Sequence, residues 1–253
     1  MTLQSTTFVG IDLSTGRQPF TFAALDERQR ILAFGEGEMV DALSYIAGLG
    51  RAVVAVNGPP RLNCGLMANA QVRAALDPPP EAGRWRDLRV AEYELAVHGL
   101  AVPRTPTRPE SSPLWMRIGF RFYERLAGEL GFVPFEAGAG ECERRCLEVQ
   151  ADGCYWSLLH VAPFDALSLE GRIQRQLALD EIGLEVPDAM RFFEEVTRFK
   201  LLRSTLPDVG LYTTAELNAL VGAYTAWLAG NESARLRTVG QAEEGLIYLP
   251  RGG

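Results

Sequence analysis

The run from Arg51 to Asn57 constrains the fold more than any other segment of the chain. It holds five consecutive apolar residues, three of them valine, and Gly58-Pro59-Pro60 ends it. Such a run is typical of a β-strand that is buried on both faces of its sheet. A strand of this kind needs helices on both sides. The chain is therefore predicted to have an α/β architecture, with this strand near the centre of the sheet.

Other strands and helices are predicted around this central run. Three short strands joined by tight turns precede it and form an antiparallel meander. After strands 1 to 3, the chain continues with a helix, strand 4, a helix, strand 5 and a helix. This order of elements predicts a mixed five-stranded sheet flanked by helices. Strands 1 to 3 are antiparallel, and strands 1, 4 and 5 are parallel and central. The predicted strands are Thr7–Leu13, Phe20–Leu25, Ile31–Phe34, Arg51–Asn57 and Glu141–Val149, with helices over Met39–Leu49 and Leu114–Leu130 and an edge strand over Gly245–Pro250.

The segment from about 61 to 115 differs from the rest of the chain. It contains Pro78-Pro79-Pro80 and four further prolines between positions 103 and 113. Prolines at this density interrupt helices and strands. We predict a helical and loop insertion after strand 4, lying over the sheet, within a single domain that spans residues 1–253.

Composition limits the classes of function. The formal net charge of -7 argues against a general nucleic-acid coat protein, but a basic groove can still lie on an acidic protein. Four cysteines in a chain of 253 residues are typical of a reducing compartment. Residues 1–7 show no signal-peptide pattern, and no apolar run approaches the roughly 20 residues of a membrane span. A cytoplasmic protein without a membrane segment is predicted.

Cys142, Cys146 and Cys154 raise the question of a metal site. Their spacing matches no common zinc pattern, and Cys146 fits the apolar register of a strand. We interpret these cysteines as core residues rather than zinc ligands.

Polar residues follow the three strands predicted to be parallel. Asp12, Asn57 and Glu148 lie at or near the carboxyl ends of strands 1, 4 and 5. Ligands of open α/β sheets bind at this edge, so these residues are candidates for a site. Structural alternatives stay open: Asp12 and Asn57 could form turns, and Glu148 could be a solvated residue at a strand end.

Several segments, in this order, resemble a family of uncharacterised predicted nucleases with the ribonuclease-H-like fold (domain of unknown function 429). The resemblance covers nearly the whole chain. The matching segments are Phe8–Asp12, Val54–Pro60, Arg89–Leu95, Leu147–Val149, Leu169–Ile173, Glu216–Ala226 and Glu244–Ile247.

The resemblance implies hydrolysis of a phosphodiester by two divalent metal ions. It assigns Asp12 and Glu148 as catalytic residues and ligands of Mg²⁺ or Mn²⁺, and Arg89 as a substrate contact. Asn57 and Asn218 stand where the family typically has aspartate. An amide oxygen supplies no charge, so these two residues are predicted to contact substrate or to act as neutral ligands.

The predicted protein is accordingly a metal-dependent nuclease or phosphodiesterase whose activity is impaired or lost, with one weak metal site or with none in the absence of substrate. A non-catalytic protein that binds a nucleotide or nucleic acid on the same scaffold is the alternative. An actin-like ATPase shares the sheet, but it requires a second domain of the same kind. A purely structural or interaction protein also stays open.

Arginines and aromatic residues alternate over the insertion and the helix after it. They predict either a surface for nucleic acid or a solvated face over an aromatic core helix. The arginines are at positions 84, 86, 89, 104, 108, 117, 121 and 125, and the aromatic residues are Trp85, Trp115, Phe120 and Phe122.

Thr213 and Glu216 have the spacing of a capping box, which predicts a helix start.

Overall fold

Strands from both ends of the chain form one sheet in the computed structural model, which describes residues 5–13, 20–81, 85–137, 143–207 and 210–252. The predicted turn Ser14-Thr15-Gly16, Arg84, Glu141 and Cys142 lie outside these residues. The strands are β1 (Thr6–Asp12), β2 (Phe20–Leu25), β3 (Ile31–Gly37), β4 (Arg51–Asn57), β5 (Val133–Pro134), β6 (Arg144–Val149), β7 (Leu236–Gln241) and β8 (Gly245–Pro250).

Helices connect these strands and cover the sheet. They are α1 (Met39–Ala47), α2 (Ala70–Ala74), α3 (Val90–Ala96), α4 (Leu114–Gly128), α5 (Ala151–Leu159), α6 (Leu169–Glu181), α7 (Arg191–Glu195), α8 (Arg198–Leu201) and α9 (Thr214–Asn231), with 3-10 turns at Leu66–Ala68, Pro109–Ser111 and Ser233–Arg235.

The strand order is β3-β2-β1-β4-β6-β8-β7, and β5 also pairs with β6. β2 is antiparallel to β1 and β3, whereas β1, β4 and β6 are mutually parallel neighbours. The predicted meander and the central position of β4 are confirmed. Within the described residues the sheet is wider than predicted, with eight strands instead of five.

The strand predicted at the edge, Gly245–Pro250, is interior. β8 pairs with β6 on one side and with β7 on the other, so β7 is the edge strand. The sequence of β7, Leu-Arg-Thr-Val-Gly-Gln, carries polar residues as expected of an edge, and it lacks the apolar run that marks β4.

Helices on both faces enclose two cores. Phe8 and Val53 belong to the core under α9, and their neighbours Val9 and Val54 belong to the core under α1 and α4. Because successive strand residues point to opposite faces, the two cores explain why the central residues of β1 and β4 are apolar on both faces. α9 is buried along nearly its whole length. The mixed α/β architecture is thus confirmed.

The insertion contains α2, α3 and loops. Its own small core includes Met67, Val90 and Tyr93. α3 also packs against β7, which ties the insertion to the far edge of the sheet. Among the described residues, no helix has the length and apolar character that a membrane crossing requires.

We expect one fast-reacting thiol among the three described cysteines. Cys64 is exposed, whereas Cys146 and Cys154 are buried and burial raises the pKa of both thiols to about 12. Since the thiolate is the nucleophile, Ellman's reagent should label Cys64 in native protein, and Cys146 and Cys154 only after unfolding. The measurement uses a Cys142→Ser chain, so that the thiol outside the described residues does not contribute. Rapid labelling of all three thiols in native protein would contradict this prediction.

Candidate functional site

Asp12 is the centre of a buried cluster at the carboxyl end of β1. Its side chain is fully buried. Asn57 Nδ2 donates a hydrogen bond to Asp12 Oδ1 at 2.7 Å, and Asn218 Nδ2 lies 3.5 Å from Asp12 Oδ2. Three of the predicted site residues therefore meet, and amide N–H groups face both oxygens of the carboxylate.

The orientation of the Asn57 amide is fixed by the backbone. Asn57 Oδ1 accepts a hydrogen bond from Ala151 N at 3.0 Å. A backbone N–H only donates, so the amide oxygen must face Ala151 and the amide nitrogen must face Asp12. The parallel register pairs Asp12 with Asn57 directly, which holds the two side chains on the same face.

A close approach between β1 and α9 brings Asn218 to this cluster. A Cβ atom on Gly10 would lie 1.9 Å from Ala219 O, so only glycine allows the helix to lie this near the strand. α9 begins with the predicted capping box of Thr213 and Glu216, which is confirmed. Asn218 Oδ1 is buried and has no hydrogen-bond partner among the described residues.

Arg89 and Glu148 form a second buried cluster. Arg89 is 2% exposed, and its two terminal nitrogens donate to the two oxygens of Glu148, one of them at 2.9 Å. Glu92 Oε1 accepts from Arg89 Nε at 2.9 Å and from Thr105 N at 3.0 Å. One guanidinium thus serves two carboxylates, which leaves the cluster with a formal charge of -1.

Burial acts on the pKa values of both Glu148 and Arg89. It raises the pKa of the Glu148 carboxyl, an effect that the Arg89 guanidinium opposes without cancelling. Burial also acts to lower the pKa of Arg89, but the two carboxylates outweigh it and hold that pKa above its usual value. Arg89 therefore carries its charge at neutral pH.

The two predicted metal ligands, Asp12 and Glu148, lie on opposite faces of the sheet. The register aligns Asp12 with Asn57 and Asn57 with Val149. Glu148 precedes Val149, so strand alternation turns its side chain to the other face. The sequence identifies the shared edge, but the one-residue offset in register separates the two carboxylates, and each has its own partners.

A cleft of about 500 Å³ opens at the same edge of the sheet. Asn57, Gln150 and residues of the Arg89 cluster supply polar groups to its lining, which is mainly apolar. Both the insertion and α4 contribute to the walls. The lining includes Leu13, Val102, Pro103, Leu114, Trp115, Met116, Ile118, Val149 and Ile247.

The predicted alternation of arginines and aromatic residues does not form one continuous surface. Phe122 is fully buried and packs on Phe20, and Arg89 is buried in its cluster. Trp115 lines the cleft. Exposed arginines, among them Arg104 and Arg117, lie next to cleft-lining residues in sequence. Of the predicted set, Trp115, Arg104 and Arg117 therefore lie at or next to the cleft lining.

Glu244 is a buried carboxylate that the sequence analysis did not select. Its oxygens accept hydrogen bonds from Leu66 N and Val90 N, both at 2.9 Å. It thereby joins the loop before β8 to the insertion and to the first residue of α3. Its only signal in the sequence was its place in the segment Glu244–Ile247.

Within the described ranges, no group of three or more His, Cys, Asp or Glu side chains is arranged to hold a metal ion. Asn57 and Asn218, which lie against Asp12, could offer a divalent ion only their amide oxygens, and the oxygen of Asn57 is already bonded to Ala151. No protein-family model, no curated protein and no solved structure matches this chain.

Proposed function

We propose that the protein is a ribonuclease-H-like domain that binds a nucleotide, or the end of a single-stranded nucleic acid, without hydrolysing it. The orientation of the Asn57 amide carries this proposal. In a two-metal site the carboxylates are bridged by cations. Here an N–H group of Asn57 lies 2.7 Å from Asp12 Oδ1, where a bridging cation would otherwise bind.

The strand arrangement supports the assignment of the fold. The order β3-β2-β1-β4-β6, with an antiparallel meander and parallel β1, β4 and β6, corresponds to the five-stranded sheet that the sequence resemblance implies. β8 and β7 extend this sheet beyond β6 as an antiparallel hairpin.

The cleft supports a ligand with an aromatic and an anionic part. Its apolar walls and the indole of Trp115 offer a surface on which a base can stack. The amide oxygens of Asn57 and Gln150 already accept hydrogen bonds from Ala151 N and Gly153 N, so these amides can offer N–H groups to the acceptor atoms of a base edge. Arg104 and Arg117 are exposed beside the lining, and among the described residues neither is in an ion pair. They are placed to attract a phosphate group to a protein of negative net charge.

The test is a calorimetric titration with nucleoside monophosphates and with a short single-stranded oligonucleotide, in EDTA and in Mn²⁺. We expect binding in EDTA. Replacing Arg104→Gln together with Arg117→Gln should weaken it by about tenfold or more, because charge-assisted contacts to phosphate are lost. The control, Arg28→Gln with Arg191→Gln, changes the net charge equally at exposed positions outside the cleft and should leave the affinity unchanged.

Two results would overturn the proposal. Binding of no nucleotide or oligonucleotide would remove the assigned ligand class. Cleavage of the oligonucleotide that depends on Mn²⁺ and is lost in Asp12→Asn would restore the nuclease hypothesis, with Asp12 as a ligand of a single metal ion.

A further inference from the structure

A second cavity, the distal cavity, lies at the carboxyl end of α5. Its volume is about 420 Å³. Among the described residues, its lining contains two arginines and a histidine, and no side-chain carboxylate. The lining residues are Trp156, Ser157, His160, Arg237, Arg251 and Gly252.

Positive charge accumulates in the distal cavity. Burial lowers the pKa of Arg237, and the nearby Arg251 guanidinium lowers it further, whereas Glu94 acts in the opposite direction. Glu94 is already engaged, since its Oε2 accepts a hydrogen bond from Gly240 N at 2.6 Å. In the described part of the chain, neither arginine is in an ion pair with a carboxylate. Two positive charges in one cavity favour the binding of an anion there.

The cavity wall is built by specific contacts. The guanidinium of Arg237 lies over the indole of Trp156, 4.6 Å from the ring centroid, and the imidazole of His98 stacks on the same indole at 4.1 Å. These ring contacts fix Arg237 at the wall. A half-buried arginine held in this way is already ordered before a ligand binds.

The chain after β8 is fixed against α5. Ser157 Oγ donates to Pro250 O, and a Cβ atom on Gly252 would lie 2.6 Å from His160 Nε2. Glycine at 252 therefore lets this segment approach the imidazole. The approach brings Arg251 and His160 to the same cavity as Arg237.

We propose that the distal cavity binds a phosphate group, as free phosphate or as a phosphate monoester. Two guanidinium groups offer N–H donors and two positive charges, which match the charge of a phosphate dianion, and the imidazole of His160 adds a further polar group. This site shares no residue with the strand-end cleft, so it does not depend on the function proposed for the cleft.

The test is a titration of the full chain with inorganic phosphate, followed by calorimetry and by the arginine Nε–Hε resonances in NMR spectra. We expect saturable binding with a shift of the Arg237 resonance. Replacing Arg237→Gln together with Arg251→Gln should weaken binding by about tenfold or more. The control, Arg28→Gln with Arg191→Gln, removes the same charge elsewhere and should bind phosphate as the unaltered chain does.

Three results would overturn the proposal. The first is the absence of saturable phosphate binding. The second is equal weakening in the control, which would indicate a general effect of net charge. The third is tighter binding of acetate than of phosphate, which would assign the cavity to carboxylates. Each variant is also checked for cooperative unfolding. A variant that fails to fold is replaced by Arg237→Lys, which keeps the charge but loses the planar donor geometry.

Discussion

Asn57→Asp is expected to destabilise the protein in EDTA by several kcal/mol and to make its stability depend on Mn²⁺. Asn57 Nδ2 donates to Asp12 Oδ1 at 2.7 Å, and Asn57 Oδ1 is bound to Ala151 N. Aspartate keeps the second hydrogen bond and places a carboxylate oxygen against Asp12. Repulsion between two such charges amounts to about 4 kcal/mol at an effective dielectric constant of 20. A divalent ion between them would reverse the sign of this interaction.

The measurement is urea unfolding of Asn57→Asp at several pH values, in EDTA and in Mn²⁺. Two adjacent carboxylates share a proton, so one pKa in the folded variant lies above its unfolded value. Stability in EDTA should therefore be highest at acidic pH and decrease as the pH rises through that folded-state pKa. Asn57→Ala is the control, because it removes the hydrogen bond without adding charge and should gain nothing from Mn²⁺.

Adding Asn218→Asp should increase the Mn²⁺ affinity further, since Asn218 Nδ2 lies 3.5 Å from the other oxygen of Asp12. If Asn57→Asp loses the same stability in EDTA and in Mn²⁺, and does not recover at acidic pH, the carboxylates do not meet and the assigned geometry is wrong.

Local sequence patterns were sufficient to predict the centre of the fold. The central residues of β1 and β4 are apolar, and a strand of this kind is typically covered by helices on both faces. β7 was missed for the opposite reason. Half of its residues are polar, and what holds it is its pairing with β8, a neighbour that the local pattern does not reveal.

The candidate site was predicted in part because strand ends are visible in a sequence, whereas register is not. Asp12 and Asn57 meet because β1 and β4 pair in direct register. Asn57 pairs with Val149, and Glu148 is the residue before it. A shift of one residue along a strand places a side chain on the opposite face of the sheet. Glu244 and Thr105 reach their partners from other segments across loops, and no periodic pattern marks such contacts.

Arg89→Met is expected to cause the second large effect, a loss of about 3–5 kcal/mol in the free energy of unfolding at neutral pH. Arg89 is the only guanidinium that contacts Glu148 and Glu92 among the described ion pairs. Without it, two carboxylates remain in a buried site. Removing one partner of a buried ion pair is more damaging than never having the pair, because the remaining charge has lost both its water and its counterion.

The pH dependence of Arg89→Met follows from the same argument. Burial already raises the pKa of Glu148, and Arg89 is the largest influence that opposes this shift. Removing the guanidinium raises that pKa further, so the folded variant holds a proton that the unfolded chain releases. The variant should therefore be most stable below the unfolded pKa of about 4.3 and lose stability as the pH rises through the folded-state value.

The double variant Arg89→Met with Glu148→Met separates charge from packing. It removes Arg89 together with Glu148, so that Glu92 is the one carboxylate of the cluster that remains without the guanidinium, instead of two. We expect urea unfolding to show that the double variant is more stable at neutral pH than Arg89→Met alone, with a weaker pH dependence. Glu92 keeps its hydrogen bonds from Thr105 in both variants. If the double variant is no more stable than the single one, Arg89 contributes by packing, and the unpaired charge of Glu148 is not the cause of the loss.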